Sequence, residues 1–128
     1  MGGNLKSENV LVEKSFAFAV RVVKACQYLV KKKSEHVLSK QLLRCGTSIG
    51  ANVEEAMGGQ SRADFAAKLG IAYKEAREAQ YWIRLLRETA YFSESEADSL
   101  LHDVVELQKI IGSIRVTLKT TSTTIRNS

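Results

Sequence analysis

No proline occurs among the 128 residues. Proline stops or kinks helices, so a chain without it is free to run long helices joined by short turns. Aromatic residues make up only 7 %, too few for the aromatic and β-branched strands of a sandwich or barrel. Good helix formers dominate instead. Histidine and cysteine stand at two positions each. Di-iron bundles bind through Glu-x-x-His pairs, but Lys33 lies three residues before His36 and Ser99 three before His102. No metal-ligand spacing, phosphate-binding glycine loop or nucleophile elbow occurs. Adjacent acids such as Glu54 and Glu55 point to different sides of a helix and form no acid–base pair. The expectation is a protein that is not an enzyme, with no catalytic residue, no metal and no cofactor.

Long apolar runs are lacking too. No stretch approaches the ~18 residues of a membrane span, and the opening MGGNLKSEN is polar, unlike a signal peptide. Lys6 stands where N-myristoylation wants Ser or Thr. Cys26 and Cys45 fall in apolar helical patterns and read as buried, reduced thiols. These features predict a cytoplasmic protein without a membrane partner.

Acid is missing where it matters most for partners. Residues 109–128 hold four Lys/Arg and no Asp/Glu. Residues 1–50 hold nine and three, and residues 51–108 hold six and eleven. A basic first half and a basic tail thus flank an acidic middle, an asymmetry that points to a polyanion partner or to head-to-tail self-association.

What is present is helical periodicity. The length suits one domain with its own core. The first helix is predicted from about Glu8 to Lys32, capped by Ser7, with residues 1–6 disordered. Val12, Phe16, Ala19, Val20, Val23, Cys26, Gln27 and Val30 form its predicted buried stripe, which Leu11, Phe18, Val22 and Leu29 widen beyond what one partner needs. The second helix is predicted over 35–57, capped by Ser34, with Leu38, Leu42, Cys45, Ile49, Val53 and Ala56 inward. Gly46 and Gly50 sit inside it. Each costs ~1 kcal/mol against alanine, which predicts close approach of a neighbouring helix. Asn52 is expected to tie this helix to a neighbour.

Gly58-Gly59 ends that helix, and Ser61 with Asp64 opens the next, predicted over 62–90. Its seam is Phe65, Leu69, Ala72, Ala76, Ala79, Ile83, Leu86 and Ala90, alternating steps of four and three. Ser93 and Glu96 form a capping box for a fourth helix over 94–119, with Ala97, Leu100, Leu101, Val104, Leu107, Ile111, Ile114 and Leu118 inward. Residues 120–128 read as disordered, being polar and β-branched. Short turns give an all-α, up-down-up-down antiparallel four-helix bundle. The surplus apolar width predicts assembly into a homo-oligomer.

The central stretch LLRCGTSIGANVEEAMGGQSRADFAAKLGIAYKEAREAQYWIRLL resembles the four-helix-bundle family of the 23S ribosomal RNA intervening-sequence protein. The likeness is carried by Arg44, Ser48-Ile49, Asn52-Val53-Glu54-Glu55-Ala56, Ser61, Asp64-Phe65, Ala72, Lys74-Glu75-Ala76 and Glu78-Ala79. It departs at Glu55-Ala56, where many members carry Glu-Gly; here the glycines are delayed to Gly58-Gly59. The resemblance implies a bundle without assigned activity and, from related bundles, a ring-shaped homopentamer. It also implies likeness in build to the accessory protein of diversity-generating retroelements, which binds nucleic acid and a reverse transcriptase. It carries over no catalytic residue.

The resulting functional expectation is a bundle that binds RNA or DNA through basic helix faces. Arg21, Lys24, Lys31, Lys32 and Lys33 on the first helix and Lys40 and Arg44 on the second are the candidate contacts. No helix-turn-helix, RRM or zinc motif is present, so base-specific readout is not expected. Phe18, Val22, Tyr73, Arg77, Tyr81, Trp82 and Leu85 are the candidate oligomer interface. The alternative is a scaffold or adaptor that binds a protein partner and no nucleic acid.

Overall fold

The structure, a computed structural model, describes residues 5–127, with side chains described as far as residue 120. It consists of α1 (Leu5–Lys33), α2 (Leu38–Met57), α3 (Arg62–Glu88) and α4 (Glu94–Asn127), with no strand among the described residues. The expected disordered start falls, for residues 1–4, outside the described residues. Leu5 and Lys6 are already helical, so Ser7 lies inside α1 and does not cap it. At the other end α4 continues to Asn127 where a frayed segment from residue 120 was expected. Poor propensity subtracts only tenths of a kcal/mol per residue, while each residue added to an existing helix gains a hydrogen bond without a new nucleus. Nothing in TTSTTIRN acts as a stop.

Each helix packs on its neighbour in sequence, and α1 closes against α4. The backbones of α1 and α3, and of α2 and α4, stay apart among the described residues. The cross-section is therefore a square, with the α1–α2 and α3–α4 grooves on opposite sides. For three helices the core is close to the expected one, with Leu38 and Leu101 only half-buried at its edge. Leu42, Cys45, Ile49, Val53 and Ala56 of α2 are buried, as are Phe65, Leu69, Ala72, Ala76, Ala79, Ile83 and Leu86 of α3 and Ala97, Leu100, Val104, Leu107, Ile111, Ile114 and Leu118 of α4. Ala90 drops out of the α3 seam. It is exposed, with φ of 64°, where the chain leaves the helix and Phe92 N–H reaches back to the Leu86 carbonyl. That is the left-handed closure usually given to glycine.

Helix α1 is rotated from the expected setting. Its buried residues are Glu8, Leu11, Ser15, Phe18, Val22, Cys26 and Leu29, while Phe16, Val20, Val23 and Val30 of the predicted stripe face outward. The two glycines of α2 fix this. A Cβ on Gly46 would lie 2.8 Å from both methyls of Val22, and one on Gly50 would lie 3.3 Å from the Ser15 carbonyl oxygen. The α1 face carrying Ser15 and Val22 is the one seated there, so the predicted close approach is real but belongs to the other half of a wide apolar surface. Asn52 also differs from expectation. Its side-chain amide donates to the Ser48 carbonyl at 2.9 Å and to Ser48 Oγ at 3.0 Å, within its own helix.

The start of α2 is capped by Glu35 rather than by Ser34, which has φ of 53°. The Glu35 carboxylate accepts from the N–H groups of Val37 (2.8 Å), Leu38 (2.7 Å) and Ser39 (2.9 Å). These are orphan donors of a first turn, at the positive end of the helix dipole. Burial pushes this carboxyl up, but the three backbone donors outweigh it and hold the group below its ordinary value. A folded value below the unfolded one contributes stability above the unfolded pKa, and that contribution is lost as pH falls through the folded value. Glu35→Ala is expected to cost about 1–2 kcal/mol at pH 7, the range of a lost N-cap. The gap in urea midpoint between it and the parent should narrow on going to pH 3. A gap independent of pH would show that the ionised form contributes nothing. At α3, Ser61 Oγ accepts the Asp64 N–H at 3.1 Å, and at α4 both halves of the Ser93–Glu96 box are present at 3.1 Å.

Candidate nucleic-acid interface

Five of the seven predicted cationic contacts cluster toward the C-terminal end of α1 and the start of α2. Lys24 and Lys31 are seven residues apart, two helical turns, and so stack on one outward face. Lys31 and Lys40 line a groove of about 340 Å³ between α1 and α2, along with the exposed Val23, Val30 and Leu43. Lys32 and Lys33 are exposed beside them, and the Lys33 ammonium sits 6.0 Å from the centre of the Tyr28 ring. Among the described residues none of these five lysines makes an ion pair. Lys31, Lys32 and Lys33 stand at the negative end of α1, while Lys24 shares a groove with Glu96 on the α1–α4 side.

The two arginines are placed differently. Arg21 donates to Asp103 at 2.5 Å and to Ser99 Oγ at 2.9 Å, tying α1 to α4. Arg44 reaches from α2 to Glu75 of α3 at 3.1 Å and also pairs with Glu78. Both guanidiniums already have carboxylate partners, so a phosphate would compete with those helix-to-helix ties.

The predicted oligomer interface splits in two. Phe18 and Val22 are 1 % and 0 % exposed within the single chain and pack in its core. They cannot meet another copy, and the rotation of α1 is the reason. The exposed apolar strip is instead Phe16 (66 % exposed), Val20, Val23 and Val30, continued by Leu43 along the lysine groove. On α3, Arg77 and Tyr81 are exposed, while Tyr73, Trp82 and Leu85 are half-buried. Tyr81 stacks edge-on to Trp82 at 5.1 Å, and the Trp82 N–H donates to Glu78 at 3.3 Å.

Sequence reasoning missed a second basic grouping. Arg62 opens α3, Arg115 lies over the Tyr73 ring at 5.5 Å, and Lys119 follows one turn along α4. The signal available was the acid-free stretch 109–128, noted as charge but not as a place.

Both cysteines are free and buried. Burial, with Glu35 nearby, pushes the Cys26 thiol up to about 11. Burial and then Glu78 push Cys45 up to about 12, with Arg44 pulling the other way. No helix among the described residues is long and apolar enough to cross a membrane.

Residues 7–113 match the family described as 23S rRNA-intervening sequence protein. A solved structure of a protein of unknown function from the S23 ribosomal protein family of Bacteroides thetaiotaomicron is 49 % identical. It aligns over 85 % of this chain and 97 % of its own, with a TM-score of 0.84. No curated protein matches.

Proposed function

We infer the function from one premise: this chain belongs to the 23S rRNA-intervening sequence protein family. It is a non-enzymatic bundle that binds nucleic acid through its basic helix faces, in the setting of ribosomal RNA intervening sequences that the family's description names. The observation that carries this is the cluster of Lys24, Lys31, Lys32, Lys33 and Lys40, none of them ion-paired among the described residues and two lining one groove. Clustered cations without acid partners suit a phosphate backbone and release counterions on contact. Charge of this kind reads shape and backbone rather than base sequence.

The arrangement is up-down-up-down. Lys14 meets Glu106 while Arg21 meets Ser99 and Asp103, Arg44 meets Glu75 while Lys68 meets Glu55, and Arg87 meets Asp98 while Gln108 meets Gln80. Each pairing descends on one helix as it rises on the other. The chain associates with itself, and the strip Phe16, Val20, Val23, Val30 supports that. A ring of five is what the family resemblance implies, and light scattering of the native particle would read the copy number. A cytoplasmic location belongs to the same proposal.

The test is fluorescence anisotropy of the native particle with labelled RNA and DNA over a salt series. Affinity should fall steeply with salt. Lys31→Glu with Lys40→Glu should weaken binding by at least about tenfold and lower the salt slope by roughly one unit per lost phosphate contact. No binding at low salt by an intact oligomer would overturn the nucleic-acid role in favour of a protein-binding scaffold.

A further inference from the structure

Three glycines sit well inside helices α2 and α4 at positions that ought to be alanine. Gly46 and Gly50 are explained by the close approach of α1. Gly112 is not: a Cβ built on it meets nothing within 4 Å. An interior glycine weakens a helix, and here no neighbouring helix requires it. What Gly112 borders is a cleft of about 750 Å³ between α3 and α4, within the size range of small-ligand sites.

The cleft has an apolar lining, buried Leu118 with the exposed Ala66 and Val116, and cations beside it. Arg62, Arg115 and Lys119 line it, and no acidic residue is among its lining residues. Arg115 is held over the Tyr73 ring at 5.5 Å. Arg62 carries a further sign: its Nη2 is buried without a hydrogen-bond partner among the described residues. A guanidinium nitrogen removed from water and left unpaired is costly, so the Arg62 side chain would gain by turning to meet an anion in the cleft. Arg62 is also the first residue of α3, where the helix dipole favours negative charge.

We propose that the α3–α4 cleft beside Gly112 is a binding site for a nucleotide phosphate, held by Arg62 and Arg115, with the attached nucleoside lying on the apolar lining next to Tyr73. A planar guanidinium can donate two parallel N–H groups to two oxygens of a phosphate, and both Arg62 and Arg115 line the cleft. The open space at Gly112 leaves room for a flat ring, and an aromatic side chain at the wall suits a base. The site lies across the bundle from the lysine groove and does not depend on it. The nucleotide's source is either a free mononucleotide or one unit of a nucleic-acid strand.

The test titrates the native full-length protein, followed by amide NMR, with inorganic phosphate, adenosine 5′-monophosphate and an eight-residue oligothymidylate. The nucleotide should perturb Ala66, Gly112 and Val116 and should bind at least about tenfold more tightly than inorganic phosphate. Arg62→Gln with Arg115→Gln should remove that binding. Gly112→Leu should remove it as well by filling the cleft, with an unfolding midpoint equal to or above the parent's, which separates blockage from misfolding. Lys31→Glu with Lys40→Glu should leave these shifts unchanged, so the lysine groove can fail while the cleft stands, and the reverse. Binding of the oligonucleotide alone, lost in both cleft variants, would assign the strand as the source. Equal affinity for phosphate and nucleotide, binding that survives the cleft variants, or no shift near Gly112 with any probe would overturn the proposal.

Discussion

Phe65→Ala is expected to lose about 3–5 kcal/mol, the range for deleting a buried phenyl ring from a core. Phe65 is 1 % exposed and sits in the first turn of α3, its N–H bonded to the Ser61 carbonyl at 3.0 Å. Around it converge the start of α1 (Leu5, Glu8, Val12) and the end of α2 (Glu54, Met57). One side chain therefore plugs the place where three helices meet, and the stiff capped turn at Ser61 limits how far the walls can collapse inward. The loss would be a large fraction of the ~5–15 kcal/mol that holds a domain folded. It should appear as a lower urea midpoint at unchanged slope. Tyr81→Ala, at 54 % exposure, serves as the contrast, expected within about 0.5 kcal/mol of the parent. A Phe65→Ala cost below about 1 kcal/mol would show that the ring is not the plug described.

Gly50→Leu is the second large effect, expected at ~3 kcal/mol, the upper end of overpacking costs. In a free helix this change would stabilise by up to ~1 kcal/mol, so the sign itself tests the packing. The first carbon added lands 3.3 Å from a backbone oxygen of α1 and 3.4 Å from its carbonyl carbon, atoms that cannot rotate aside. Gly46→Ala meets the two methyls of Val22 instead, both at 2.8 Å, and Val22 is stiff at χ1. The Gly46→Ala cost should therefore be relieved in a Val22→Ala background, with a coupling of about 0.5–3 kcal/mol. The Gly50→Leu cost should not be. If Gly50→Leu proves neutral or stabilising, α1 is not seated on α2 as described.

Those glycines show why the fold was legible in the sequence and the site only partly so. The seams of α2, α3 and α4 are each narrow, so apolar periodicity alone identified Leu42 to Ala56, Phe65 to Leu86 and Ala97 to Leu118 as core. Helix α1 is apolar over more than half its circumference, and periodicity then cannot choose a centre. The deciding residue, Ser15, is polar and 1 % exposed, its hydroxyl bonded to the Val12 carbonyl at 3.2 Å, so it looks like a surface residue on paper. The same ambiguity moved Phe18 and Val22 from a supposed interface into the core. The clustering of Lys31 with Lys40 was readable because both lie near one helix-to-helix turn. That Arg21 and Arg44 would meet Asp103 and Glu75 was not, because those partners are 82 and 31 residues away. That Arg62 and Arg115 would line one cleft between α3 and α4 is hidden for the same reason.

The burial of Cys26 and Cys45 has a practical side. With burial pushing both thiols well above the ordinary range, little reactive thiolate is present at pH 7, and reaction runs through that form. A cysteine introduced at an exposed position such as Lys24 or Tyr81 would ionise near ~8.5 and react with a maleimide essentially alone. The protein is thus ready-made for site-directed spin or dye labelling without first deleting its native cysteines. Distances between labels would then test whether separate copies assemble and in what geometry.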